Sequence, residues 1–194
     1  MKHSAKGKSL FSVFFVATLD NFGFAIVFIL FAPLIIDNTA GLLDQATSPA
    51  YRKAILNTLF AVFPLAQLIA APVFGDFADR FGRKRALIIT IIGTTLGFLC
   101  SAIAIEFGSL MGLIGSRFAT GLFAGNLSIC LAAIADVCRS ERERARYFGY
   151  ITVVFALSWI ASMVAGGYLS DPSVLPFFGP TIPLYLTASL SFCS

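Results

Sequence analysis

Charged residues are scarce in this chain. Asp, Glu, Lys and Arg make up only 12% of its 194 residues, whereas hydrophobic residues make up 58% and the mean hydropathy is +0.87. Soluble domains carry about 25% charged residues, so this composition excludes an ordinary water-soluble domain. The net charge of +4 comes from basic residues beside apolar stretches, a placement that argues against a nucleic-acid partner. The composition indicates an integral membrane protein.

Residues that build common catalytic and metal sites are also few. The only histidine is His3, and the four cysteines, Cys100, Cys130, Cys138 and Cys193, show no C-x-x-C spacing. We interpret these cysteines as structural, because a thiol within an apolar stretch behaves as a small hydrophobic group. No G-x-x-x-x-G-K-[ST] phosphate loop is present, which argues against an ATP-driven pump subunit and favours an ion gradient. The sequence predicts no cofactor, no metal site and no enzyme activity.

Long apolar runs define the organisation of the chain. A helix needs about 20 apolar residues to cross a bilayer, because lipid offers no partner for an unpaired backbone amide. The rule predicts five complete spans and a partial sixth, at residues 10–36, 54–74, 86–105, 110–135, 147–169 and 181–194. The sixth covers only about 21 Å at about 1.5 Å per residue, so the chain is expected to stop inside that helix. Residues 1–9 are expected to form a basic tail, and residues 10–194 one transmembrane domain.

The basic residues predict the orientation in the membrane. Eleven of the 14 Lys and Arg residues lie in the tail, in Gly75–Arg85 and in Asp136–Arg146. Positively charged loops stay in the cytoplasm, so the N-terminus is expected there. The segments around Asp44, Glu106 and Ser173 are then expected outside.

One acidic and one basic residue lie deep within predicted spans. Asp20 is about ten residues into the first span, roughly 15 Å from the cytoplasmic edge, and a carboxylate there costs about 2.5 to 3.5 kcal/mol on insertion scales. Arg117, in the fourth span, has a similar expected depth. Two interpretations stay open. Either the two residues share a polar cavity in which Asp20 binds protons under the influence of Arg117, or they form a static buried pair that fixes helix register.

Other polar residues within spans are candidates for a substrate cavity. They are Asn21, Asn57, Gln67 and Asn126. Each is also explained by an interhelical hydrogen bond. We interpret the 21 phenylalanines as lipid-facing or packing surface rather than as an aromatic binding box. The pairs Gly93/Gly97 and Gly121/Gly125 have the G-x-x-x-G spacing that lets helices approach closely.

The segment Gly75–Arg85 packs six charges and two glycines between two apolar spans. Its residues Gly75, Asp79, Arg80, Gly82, Arg83 and Lys84 match the pattern G-x-x-x-D-R-x-G-R-[RK]. The pattern and its position between spans two and three resemble the loop signature of the major facilitator superfamily. A simple positive-inside anchor would not need glycines and acids at fixed offsets.

Further segments extend the resemblance over nearly the whole chain. They are Leu19-Asp20, Ala71–Gly75, Arg117–Gly121, Ala135-Asp136 and Arg144–Gly149. Together they look most like the drug/proton antiporter branch, including tetracycline exporters. The resemblance implies an all-α integral membrane fold, the N-terminal six-helix half of a twelve-helix transporter with its sixth helix truncated. Each half of that fold contains two inverted three-helix repeats.

The resemblance also implies a function. It is secondary active transport of a small molecule, as proton-coupled efflux by alternating access, in a bacterial inner membrane. Asp20 would carry the proton and Arg117 would modulate it. Asp79 would meet a helix N-terminus of the other half as a cytoplasmic latch, with Arg83 and Asp136 in the adjacent charge network. The implied partners are membrane lipid, protons, the substrate and a C-terminal six-helix half, on the same gene product or on a separate chain.

One stretch departs from the antiporter pattern. Where that branch has G-P-x-x-G-G in its fifth helix, this chain reads Ser162-Met163-Val164-Ala165-Gly166-Gly167, and Ala156 and Ser158 stand where glycines are expected. The bend and close packing of that helix are therefore in question. A proton-coupled uptake symporter stays open as an alternative, as does a non-transporting membrane scaffold or an inactive remnant.

Overall fold

A computed structural model describes the backbone of residues 2–138, 140–170, 179 and 181–192, and the side chains of those residues from Ser12 onward. The side chains of the predicted basic tail, the outer segment around Ser173 and Cys193 lie outside the described residues. The described part consists of helices joined by short connections. They are α1 (Lys2–Ile36), α2 (Pro49–Phe81), α3 (Arg83–Glu106), α4 (Leu110–Phe123), α5 (Asn126–Val137), α6 (Glu141–Ser170) and α7 (Ile182–Phe192).

Within the described residues, five segments are long and apolar enough to cross a membrane. They are Ser12–Ile36, Pro49–Phe81, Arg83–Glu106, Leu110–Val137 and Glu141–Ser170. The apolar helix α7 is shorter, with 11 residues. The all-helical membrane architecture predicted from the sequence is confirmed. The helices extend beyond several predicted spans, since α1 already begins at Lys2 and α2 continues to Phe81.

The charged segment Gly75–Arg85 is helical except at a single residue. Helix α2 runs through the first part of it and α3 begins at Arg83, so Gly82 alone makes the reversal. Gly82 has φ +94°, a backbone conformation that side chains with a Cβ rarely adopt, and its N–H donates to the carbonyl oxygen of Ala78 at 3.0 Å. By contrast, Gly75 lies within α2, and nothing comes within 4 Å of a Cβ built on it.

The predicted fourth span is interrupted. Helix α4 ends at Phe123 and α5 begins at Asn126, with Ala124 and Gly125 between them. No proline is present at this position to explain the break. The two helices still form one apolar segment long enough to cross a membrane.

Glycines bring α4 close to two neighbours. A Cβ on Gly97 would collide with Thr120, and one on Gly93 would collide with the ring of Phe123, so α3 and α4 approach closely. On another side, a Cβ on Gly121 would collide with the carbonyl oxygen of Phe63 in α2. The G-x-x-x-G spacing predicted this kind of close packing.

Helix α6 packs against α1 along a stripe of small residues. Ser158, Ser162 and Gly166 are buried at intervals of four residues. The Ser162 hydroxyl donates to the carbonyl oxygen of Phe22 at 3.1 Å, and a Cβ on Gly166 would lie 3.2 Å from the side chain of Ile26. Helix α6 is continuous through this region, so close packing is achieved here without the Gly-Pro pair of the antiporter pattern.

Candidate functional site

A cavity of about 180 Å³ lies among six of the helices. Its lining residues are Asp20, Asn21 and Phe24 of α1, Phe63 and Gln67 of α2, Thr94 and Phe98 of α3, Thr120 of α4, Ala124 of the α4–α5 connection, Leu127 of α5 and Phe155 of α6. Of these described lining residues, only Asp20 carries a charge. Since one water takes up about 30 Å³ in the liquid, the cavity has room for a few water molecules beside this carboxylate.

The carboxylate of Asp20 has a specific partner in α5. The side-chain Nδ2 of Asn126 donates to Asp20 Oδ1 at 2.9 Å. Asn126 is the first residue of α5 and only 1% exposed. Its other polar atom, Oδ1, is buried and has no hydrogen-bond partner among the described residues. The residue that follows the break in the fourth span, Asn126, therefore places its buried amide against Asp20 of the first span.

Asn126 is not among the lining residues of the cavity, whereas two of the other sequence-predicted polar residues are. Asn21 donates through Nδ2 to the carbonyl oxygen of Phe155 at 3.0 Å, which links α1 to α6. Gln67 donates through Nε2 to the carbonyl oxygen of Ala124 at 2.6 Å, at the point where α4 ends. The fourth, Asn57, is exposed on α2 and is not among the lining residues.

Arg117 does not share this cavity. It is 1% exposed, and its guanidinium carbon lies 5.6, 4.9 and 5.8 Å from the ring centroids of Phe31, Phe63 and Phe98. Its Nε and Nη1 atoms have no hydrogen-bond partner among the described residues. The negative faces of aromatic rings attract a cation, so these phenylalanines stabilise part of the buried charge.

The half-buried Asp20 and the buried Arg117 lie on opposite sides of an aromatic wall. Arg117 lines a second cavity of only about 10 Å³. Phe24 and Phe63 line both this cavity and the one that contains Asp20. No ion pair within the described part of the chain joins Asp20 to Arg117. Any influence of one on the other in this conformation acts across the rings.

An aromatic cluster continues from this wall. Phe28 of α1 stacks on Phe60 of α2, with ring centroids 4.6 Å apart, and lies 5.6 Å from Trp159 of α6. Phe24 also contacts Trp159, at 6.2 Å. These contacts are packing contacts, as the interpretation of the phenylalanines as lipid-facing or packing surface includes. The sequence spacing of these rings carries no sign that three helices bring them together.

The charged motif forms a second group of contacts, and none of its residues is among those that line the cavity. Arg83 binds Asp79 through Nη1 at 2.7 Å and Asp136 through Nε at 3.2 Å. Arg80 binds Asp76 of the same helix at 2.9 Å. Arg83 therefore links α2, α3 and α5. The structure thus brings together Asp79, Arg83 and Asp136, which the resemblance assigns to the latch and its charge network. Lys84 is exposed in the first turn of α3.

Comparisons with known proteins bear on these features. The family model described as Major Facilitator Superfamily matches residues 10–193. The class H tetracycline resistance protein of Pasteurella multocida is 29% identical over 95% of this chain and 44% of its own length. The class C tetracycline resistance protein of Escherichia coli is 34% identical over 64% of this chain and 31% of its own length. The chain thus spans less than half the length of these curated relatives.

Solved structures give the same fold. A crystal structure of the human organic anion transporter MFSD10 (TETRAN) superposes with a TM-score of 0.71 at 21% identity, over 97% of this chain and 47% of that one. A D-xylose-proton symporter superposes with a TM-score of 0.67 at 17% identity, over 95% of this chain and 48% of that one. Motif, fold and family match agree: the chain is an integral membrane protein that belongs to the Major Facilitator Superfamily, a family of transporters rather than enzymes.

Proposed function

We propose that this chain is the N-terminal half of a secondary active transporter that exports a small molecule in exchange for protons, with Asp20 as the proton carrier. One observation carries the proposal: among the described residues that line the cavity, the only charged one is a carboxylate in the middle of a membrane span. An acidic group in such a position is costly, and acidic groups that are kept there mark ion or substrate pathways. The relatives named for tetracycline resistance favour efflux.

The coupling follows from the two protonation states of Asp20. In an alternating-access cycle, the cavity opens to one side of the membrane at a time around a fixed site near the midplane. A carboxylate that takes a proton from one side and releases it to the other links proton entry to that conformational change. The neutral cavity residues Asn21 and Gln67, together with the rings of Phe24 and Phe155, are the proposed substrate contacts.

A second six-helix half completes the proposed transporter. The side chains of Asp79 and Arg80 are 65% and 70% exposed on α2, which leaves them accessible to a partner helix. A helix N-terminus attracts an anion such as Asp79. We propose that this contact is the cytoplasmic latch, in a bacterial inner membrane with the N-terminus of the chain inside the cell.

The experiment uses the two-half transporter, made by expressing the chain with its C-terminal partner half, in proteoliposomes. Labelled tetracycline is the first test substrate. An antiporter accumulates it when the vesicle lumen is acidic relative to the medium. We expect Asp20→Asn to abolish this gradient-driven accumulation and to retain exchange of labelled for unlabelled substrate without a gradient. Asp37→Asn, at an exposed acid just beyond α1, is the matched control and should keep both activities.

The direction of transport has one competing candidate. Helix α6 is continuous and carries Ser158 and Ser162 on its buried stripe, where the antiporter pattern has glycines, and Met163 where that pattern has proline. This feature favours an uptake symporter, which would accumulate substrate when the medium, not the lumen, is acidic. Transport that ignores both gradients would overturn the proton-coupling proposal. A complete lack of binding and flux across a panel of small molecules would favour a non-transporting scaffold.

A further inference from the structure

We propose that Asn126 is the positioning residue for proton exchange at Asp20, because its amide can serve both protonation states of the carboxyl group by rotating. With Asp20 ionised, the Asn126 NH₂ group donates to the carboxylate. With Asp20 protonated, the amide turns and its oxygen accepts from the new O–H. This inference rests on the proposed proton-carrying role of Asp20.

The geometry of the pair supports this role. Among the described residues, the Asp20 carboxylate accepts one side-chain hydrogen bond, from Asn126 Nδ2 at 2.9 Å. The oxygen of the same amide is buried without a partner. Nothing in the described surroundings therefore holds the amide in one orientation except Asp20 itself.

The chemistry favours a partner with both functions. An ionised carboxylate only accepts hydrogen bonds, whereas a protonated carboxyl group must also donate its O–H. A buried donor without an acceptor is costly. Asparagine carries a donor and an acceptor on one short, planar group, and rotation of the amide exchanges their positions. The proton then resides on Asp20, and its O–H bonds to the Asn126 oxygen in place of the former N–H contact.

The other charged and titratable groups near the pair are few. Cys130, one turn along α5, points its thiol to the carbonyl oxygen of Val13 at 3.7 Å. Arg117 of α4 lies behind the rings of Phe24 and Phe63. The cavity-lining residues of α2, α3 and α6 are uncharged. Asn126 is thus the polar group of the described chain best placed to respond to proton binding.

The location of Asn126 ties this response to the backbone. It follows the Ala124–Gly125 break directly, and Gln67 holds the carbonyl oxygen of Ala124 from α2. A rotation of the Asn126 amide would therefore take place where α4 and α5, the two halves of the fourth span, meet. Such joints within a span are positions where backbone groups and ions meet in other transporter folds.

The first test measures the wild-type chain, so it does not depend on a variant folding. The 194-residue chain contains four asparagines. It is labelled with ¹³C at the asparagine side-chain carbonyls, placed in lipid bilayers and studied by pH-difference infrared spectroscopy. We expect one asparagine carbonyl band to shift at the same pH midpoint as a protonated-carboxyl band. Both signals should vanish in Asp20→Asn. A carboxyl band that titrates with no asparagine response would overturn the inference.

The second test uses transport by the two-half protein. Asn126→Leu removes donor and acceptor and keeps a side chain branched at the γ carbon, and Asn57→Leu makes the same change at the exposed asparagine of α2. Leucine removes the bond to each protonation state, and the bond to the ionised carboxylate is the stronger of the two, so the pH midpoint of gradient-driven flux should move upward by only about one pH unit. The control should leave the midpoint in place.

The outcomes separate this inference from the proposed function. Flux that depends on Asp20 but keeps its pH midpoint in Asn126→Leu would contradict the role of Asn126 alone. Flux that survives in Asp20→Asn with full gradient dependence would remove the proton-carrying role itself.

Discussion

The guanidinium of Arg83 donates through Nε to the carboxylate of Asp136 at 3.2 Å, and this contact ties the first residue of α3 to the C-terminal turn of α5. The same guanidinium also binds Asp79 of α2. Its side chain is 28% exposed, compared with 70% for Arg80. A partly desolvated, charge-assisted contact is stronger than an open one. The side chain of Arg83 thus connects the C-terminal ends of α2 and α5 to the N-terminal end of α3. These helix ends are therefore expected to move as one unit.

Arg83→Gln should loosen the end of α5 without unfolding the protein. The contact to Asp136 is lost, while exposed ion pairs contribute only about 0 to 1 kcal/mol to global stability. We expect faster amide hydrogen exchange at residues 134–137 and little change in the unfolding midpoint. Arg80→Gln breaks an ion pair confined to α2 and is the control. Equal exchange rates at α5 in both variants would show that Arg83 does not hold these helices together.

Gly121→Ala should destabilise the packing of α2 against α4. The added methyl group collides with the carbonyl oxygen of Phe63, and backbone cannot move away as a side chain does. Overpacking of this kind costs about 1 to 3 kcal/mol. Gly115→Ala, in the same helix, adds a methyl group with nothing within 4 Å. It should be neutral or gain up to about 1 kcal/mol from helix propensity.

The measurement is the free energy of unfolding by a denaturing detergent in mixed micelles. A loss in Gly115→Ala as large as that in Gly121→Ala would contradict the close approach of α2 and α4.

Arg117→Met should leave the free energy of unfolding unchanged or raise it by about 1 to 4 kcal/mol. The guanidinium is buried among three phenylalanine rings with two of its nitrogens unpaired. Apolar replacement of buried charges is often neutral or stabilising. Its retention in the native sequence would then reflect function rather than stability.

Arg52→Met provides the contrast. Arg52 donates to the carbonyl oxygens of Ile36, Thr47 and Gln45 in the α1–α2 connection. Its loss leaves these acceptors without their donor, and we expect about 1 to 3 kcal/mol of destabilisation. The same detergent titration measures both variants. A strong loss of stability in Arg117→Met alone would show that Arg117 has an unrecognised structural partner.

The sequence predicts the all-helical membrane architecture, because about 20 apolar residues are required wherever a helix crosses lipid. It does not predict the break at Ala124–Gly125. The residues on both sides are apolar, and Gln67, which bonds to the carbonyl oxygen there, lies 57 positions away. Local sequence therefore carries no signal of this interruption.

The sequence identifies residues of the candidate site, but it does not predict how they are arranged in space. Burial cost alone identifies Asp20 and Arg117 as unusual residues. The similar depths of Asp20 and Arg117 in the membrane predict one shared cavity. Depth, however, does not determine the direction in which a side chain points around its helix. The partner of Asp20 is Asn126, 106 positions along the chain, and the environment of Arg117 is made by rings from α1, α2 and α3. Both depend on how the helices pack.

The most direct measurement is gradient-driven flux by Asp20→Asn in proteoliposomes, compared with Asp37→Asn. Loss of accumulation with retained substrate exchange in the Asp20 variant, and full activity in the Asp37 variant, is the result we predict. Accumulation by Asp20→Asn that still follows the imposed pH gradient at the wild-type level would contradict the account, because the proton would then travel through another group.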